Sequence, residues 1–94
     1  DYVQAAKWYQ QAAAQGNAEA QMHLGVLYGL GKGVPRDYVQ VYMWESLAAA
    51  HLKGDMQKNA ETLLDRVARL MTRAQIAEAQ RMASRCQAQQ FQGC

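Results

Sequence analysis

Few residues in this chain are of a type and spacing that could do chemistry. His23 and His51 are the only histidines. Neither has a second histidine or a cysteine three or four residues away, the spacing that turns two ligands to one side of a helix. They read as polar groups on helices, not as metal ligands. Ser46 and Ser84 have no lysine or histidine placed to activate a hydroxyl, so no nucleophile is indicated. Gly29, Gly31 and Gly33 cluster as in a phosphate-cradling loop, but no strand precedes them, and they read as a joint between helices. The residues therefore point to a protein that is not an enzyme, with no catalytic group, no cofactor and no metal.

Composition narrows the classes further. The formal net charge is +2, with both signs spread along the chain. That gives no reason to expect nucleic acid or an anionic membrane as partner. No apolar run approaches the ~20 residues of a membrane span. Half of the 94 residues are apolar, and alanine dominates them. Alanine lets helices approach closely but buries little area, so the expected core is thin and elongated.

What must position any functional surface is organised around Gly31-Lys32-Gly33-Val34-Pro35-Arg36-Asp37. The glycines can take positive φ and end a helix. Pro35 cannot continue one. Asp37 can cap the next, with Gln40 three residues on. The letters Asp-Tyr-Val-Gln that follow the joint also open the chain at Asp1. With residue 1 laid on residue 37, eight of fourteen positions coincide, including Trp8 with Trp44. A helix–turn–helix unit repeated every 36 residues means an α-solenoid.

The helical periodicity gives five helices. The first covers residues 2 to about 15, with Tyr2, Ala5, Trp8, Tyr9, Ala12 and Ala13 as its apolar stripe. Gly16 stops it, and Asn17 caps the second. Gly25 inside the second helix costs roughly 1 kcal/mol against alanine. It implies close approach of a neighbouring helix, with an indole or phenol ring as the expected contact. The third helix runs from Asp37 to about Leu52, and Gly54 with Asp55 starts the fourth. Asp65 and Arg69 can pair on its wet face. Thr72 with Gln75 forms a capping box for a fifth helix whose buried face carries Ile76, Ala79, Ala83 and Cys86. Gly93 is its expected break. The divisions are a first repeat, 1–36; a second, divergent repeat, 37–71; and a capping helix with tail, 72–94.

Ala5-Ala6-Lys7-Trp8-Tyr9, Gly16-Asn17-Ala18-Glu19-Ala20, Leu24-Gly25-Val26-Leu27-Tyr28 and Gly31-Lys32-Gly33-Val34-Pro35-Arg36-Asp37 together closely resemble one full Sel-one-like repeat, of the tetratricopeptide-related α/α repeat family. Tyr42-Met43-Trp44 and the later Met71-Thr72-Arg73-Ala74-Gln75-Ile76 resemble the closing repeat of bacterial members. The resemblance implies a right-handed superhelix of antiparallel helix pairs used as an adaptor or scaffold. It implies other proteins or peptides as partners and no catalytic residues.

The tail Cys86-x7-Cys94 is similar to the ending of many such bacterial proteins. Eight residues apart on a straight helix, the two sulfurs would lie ~12 Å apart. They can bond only where the chain folds back, which Gly93 permits; otherwise both are thiols. A bond would mean an oxidising compartment, hence a periplasmic or secreted protein, and thiols a cytoplasmic one. The cysteine-rich secreted branch of the family includes penicillin-interacting, β-lactamase-like members. The first repeat here has no cysteine and departs from that branch.

Partner-facing candidates come from comparing the copies. Gln4, Lys7 and Gln11 are outward positions on the first helix, where long polar side chains suit peptide recognition. At the equivalent places on the third helix, Lys7 becomes Met43 and Gln11 becomes Leu47. This polar-to-apolar change needs a cover: either the terminal cap helices or a partner peptide. Trp8 and Trp44 are read as packing residues. Arg66, Arg69, Arg73, Arg81 and Arg85 are read as solvated helix faces. The chain reads as the C-terminal end of a longer repeat protein; without the preceding repeat the first helix shows an apolar face, which suggests self-association of the isolated fragment through it. Two other classes compete with the adaptor reading: a penicillin-interacting or β-lactamase-like secreted repeat protein, and a purely structural spacer.

Overall fold

The computed structural model describes residues 1–94 and is all-helical. Its elements are α1 (Tyr2–Ala14), α2 (Ala18–Leu30), α3 (Tyr38–His51), α4 (Gly54–Ala68) and α5 (Arg73–Ala88). Short polar residues start four of them by satisfying free amides of the first turn. The carboxylate of Asp1 accepts from the Gln4 amide at 2.9 Å, and that of Asp37 accepts from the Gln40 amide at 3.2 Å. Asn17 accepts from the Ala20 amide, and Thr72 with Gln75 forms the reciprocal capping box. The helix α4 is the exception. Lys53 stands where Asn17 stands in the first copy, and it makes no side-chain cap.

The joint folds as its residues dictate. Gly31 closes α2 in the left-handed conformation, at φ 66°, and Lys32 N–H donates to the Leu27 carbonyl. Gly33 does a second job. A Cβ there would overlap the Tyr2 carbonyl, so the start of α1 is seated directly on the joint. Lys32 completes that seat, with its ammonium 4.8 Å from the centre of the Tyr2 ring.

The pair α2 and α3 is the most extensively packed. Met22 shares a cluster with Ala48, Gly25 meets Glu45, and Gly29 meets Val41. The contacts run in opposite directions along the two helices, so the helices are antiparallel, and each pair sets a small residue against a larger one, which brings the backbones close. At Gly25 the neighbour is not a ring. A Cβ there would overlap the Glu45 carboxylate. One period earlier the residue is Tyr9, so the ring expected from the first copy is replaced by a carboxyl in the second. Gly25→Ala will therefore destabilise the fold, although alanine is the better helix former by ~1 kcal/mol. Thermal unfolding of Gly25→Ala, alone and combined with Glu45→Ala, checks this. The second change should restore most of the loss, because it removes the atoms in the way.

The repeat also survives in hydrogen bonds where its letters have faded. Gln21 donates to the Ala13 carbonyl at 3.2 Å, and Gln57 donates to the Ala49 carbonyl at 2.9 Å. Both partners are offset by 36, so the same glutamine ties the second helix of each copy to the end of its first helix. The anticipated Asp65–Arg69 pair is not made; the one contact of a carboxylate with a basic side chain is Glu19–His23, at 3.9 Å.

The elongated core expected from composition is not what forms. The extents are 32 × 28 × 26 Å, because α5 lies back against α3 and leaves the stack no longer in one direction. Ala79, Ala83 and Cys86 form its buried face. Ala83 and Cys86 join Ala13, Leu24, Met43, Trp44 and Leu47 in the main core. The break after α5 comes earlier than Gly93. Gln90 and Phe91 already have positive φ, and Phe91 N–H turns back to the Cys86 carbonyl. That reversal brings the Cys86 and Cys94 Cα atoms to 5.6 Å, and their sulfurs are bonded. The loop so closed lies on the α1–α2 turn. The Phe91 ring packs against Gly16, and Gln92 donates to the Ala14 carbonyl at 2.8 Å.

Candidate interaction surfaces

The polar strip of α1 stands open. Gln4, Lys7 and Gln11 are all exposed. Their counterparts are not arranged the same way. Met43 and Leu47 are 1% and 2% exposed, within the core that α5 covers. The exchange of Lys7 for Met43 and of Gln11 for Leu47 is thus accounted for by the chain's own last helix, which rests on α3. Met43 and Leu47 are corrected from partner-facing residues to core residues.

Trp8 corrects in the opposite direction. It is 71% exposed, whereas Trp44 is 4% exposed. Ala6 and Ala13 are the buried residues of α1, with Tyr9 half-buried, so the packing stripe is rotated away from Trp8. Trp44 is held by the core around it, and its indole N–H donates to Gln40 at 3.1 Å. Fluorescence should separate the two. The Trp44→Phe variant, which retains Trp8, will be quenched by iodide severalfold more strongly than Trp8→Phe.

Around Trp8, α1 and α2 form a shallow cleft of about 520 Å³. Ala5, Trp8, Tyr9 and Ala12 supply the α1 side. His23 stacks on Tyr9 with ring centres 5.2 Å apart, and Glu19 reaches His23 from the next turn. One period later the four α1 positions are Val41, Trp44, Glu45 and Ala48, and none of these is more than 4% exposed. Val41, Glu45 and Ala48 lie directly against α2. The cleft on α1 has the same register with no helix seated in it.

The glutamate among those four is unusual. Glu45 is 0% exposed, and neither carboxyl oxygen has a hydrogen-bond partner. Burial pushes its pKa up to about 9. Gln21, one turn before Gly25 on α2, is also fully buried, with its side-chain oxygen unpartnered. No motif or local pattern pointed to Glu45. The signal lay in setting it beside Tyr9 and seeing a ring position taken by an acid. No group of three or more His, Cys, Asp or Glu side chains is placed to hold a metal.

A family model for the Sel1 repeat matches residues 1–17 and 18–51. The chain belongs to the Sel1 repeat family. The second match takes α2, the joint and α3 as its unit, which is the antiparallel pair built on Met22–Ala48, Gly25–Glu45 and Gly29–Val41. Sel1 repeats are generally protein–protein interaction modules and are typically non-catalytic. No curated protein and no solved structure matches the chain. The Cys86–Cys94 bond is of a kind that persists in oxidising surroundings. No helix is long and apolar enough to cross a membrane.

Proposed function

We propose that this chain is a non-catalytic adaptor module whose docking surface is the α1/α2 face around Trp8. One observation carries the reading: Trp8 is 71% exposed at the position where Trp44 is 4% exposed. A large aromatic left in water beside a preformed cleft is the kind of anchor that dominates protein interfaces. The register says what fits. A helix like α2, with small residues four apart, would meet Ala12, Tyr9 and Ala5 as Met22, Gly25 and Gly29 meet Ala48, Glu45 and Val41. The exposed Gln4, Lys7 and Gln11 lie on the same helix and would supply polar contacts at its margin. The Cys86–Cys94 bond supports work in the periplasm or outside the cell.

A second copy of the chain offers the most accessible test. Its own α2 is engaged by α3, so two copies would meet Trp8 face to Trp8 face, as an isologous pair. Sedimentation equilibrium should show reversible association, and Trp8→Glu should weaken it at least tenfold while leaving the circular dichroism spectrum unchanged. A monomer at every concentration would remove self-association and leave the face to a different helix. An intact-mass thiol count on protein taken from its native compartment checks the localisation.

A further inference from the structure

A second surface lies further along α2, toward its C-terminal end. Here α2, α3 and α4 enclose an open groove of about 310 Å³, the size of a small ligand or a few side chains. Its walls are Val26, Val41, Leu63 and Val67, and Gly25 and Gly29 keep the α2 side low. Leu30 and Leu70 also line it, at 52% and 63% exposed. They are the largest exposed apolar side chains outside α1. Apolar side chains converging on one hollow beside charge are the make-up of a binding groove.

The charge on the groove has one sign. Arg36 from the joint and Arg66 from α4 both line it, and no acidic residue does. Neither guanidinium has a carboxylate within 4.0 Å, since the one such contact in the chain is Glu19–His23. Asp37, next to Arg36, has its carboxylate turned to the Gln40 amide as the α3 cap. Arg66, unlike Arg69, Arg73 and Arg81, lines an apolar hollow.

From this we infer that the α2–α3–α4 groove binds a short acidic peptide segment, whose apolar side chains enter between Val26, Leu63 and Val67 and whose carboxylates reach Arg36 and Arg66. Arginine suits this role, since its planar fork pairs carboxylates through two parallel hydrogen bonds. The inference deepens the adaptor reading by naming a partner chemistry, and it rests on that reading. It uses a face separate from Trp8, so the two sites can be occupied together.

Selection of a random peptide library on the immobilised chain tests it. Enriched peptides should carry Asp or Glu flanking Leu, Ile or Phe. Their affinity should fall at least tenfold for the Arg36→Glu, Arg66→Glu double variant. Both positions are exposed, so that variant should keep the wild-type circular dichroism spectrum. Peptides with Lys in place of their acids should bind the double variant better than the wild type. Enriched peptides that ignore the arginine changes but are lost with Trp8→Glu would overturn the groove and leave the adaptor reading standing. A library that yields no binder would count against both.

Discussion

Replacing Glu45 with glutamine should raise the unfolding free energy at pH 7 by on the order of 3 kcal/mol and leave it nearly unchanged at pH 4. The reason is linkage. In the unfolded chain this carboxyl titrates near 4.5; in the fold, burial holds it protonated up to about 9. Below pH 4.5 both states carry the proton, and the group contributes no pH dependence. Between 4.5 and 9 the folded state binds a proton that the unfolded state has released. Stability then falls as pH rises, by up to about 1.4 kcal/mol per unit. Glutamine has the same shape and no proton to lose, so its curve lacks this slope. The gap should open from pH 4.5 upward and level off above pH 9.

The measurement is chemical denaturation of both proteins at several pH values from 4 to 9. Parallel curves would mean that Glu45 is not buried as described. Glu45→Met should add a further gain at every pH. Even protonated, the carboxyl has no partner, and an unsatisfied buried polar group costs about 1–3 kcal/mol. A residue this unfavourable sits in the tightest interface of the molecule, against Gly25. The α2–α3 contact is therefore the part of the fold most sensitive to alkali.

Much of the architecture was legible because it is written in local chemistry. The caps at Asp1, Asn17, Asp37 and Thr72, and the left-handed turn at Gly31, depend on neighbours within a few residues. The 36-residue offset then placed the copies. Periodicity could not reveal where the stripe of α1 points. Alanine carries most of it, and Ala6 and Ala13 are buried while Tyr2 and Trp8 stand in water. A tryptophan on an alanine-rich helix reads as core, and only the packing shows that no helix of α1–α5 covers Trp8. The destination of α5 was equally hidden. Nothing near Ile76 or Ala79 says whether that helix extends the stack or returns over α3. Met43 and Leu47 held the clue, since both their change from polar residues and their cover follow from one placement of α5. Glu45 lay outside any local rule. A buried, unpartnered acid contradicts every propensity argument and emerges only from the packing.

Breaking the Cys86–Cys94 bond should lower stability by about 2.5 kcal/mol, the chain-entropy value for so short a closed loop. The larger consequence concerns the surface. The loop it closes holds Phe91 against Gly16 and Gln92 on the Ala14 carbonyl, which anchors the end of α5 to the first repeat. Cys86 itself lies in the core beside Met43 and Leu47. A double Cys86→Ser, Cys94→Ser variant loses the staple and also sets a hydroxyl in that apolar cluster. Cys86→Ala with Cys94→Ala separates the two effects. In hydrogen exchange, α5 of the alanine variant should lose protection while α2 and α3 keep theirs. An apolar dye should bind it more strongly as Met43 and Leu47 come into reach. Equal exchange in the oxidised and alanine forms would show that α5 is held by Ala79 and Ala83 alone. If the expected result is found, the disulfide keeps an apolar strip on α3 covered. That leaves Trp8 and the arginine groove as the surfaces open to a partner while the bond is intact.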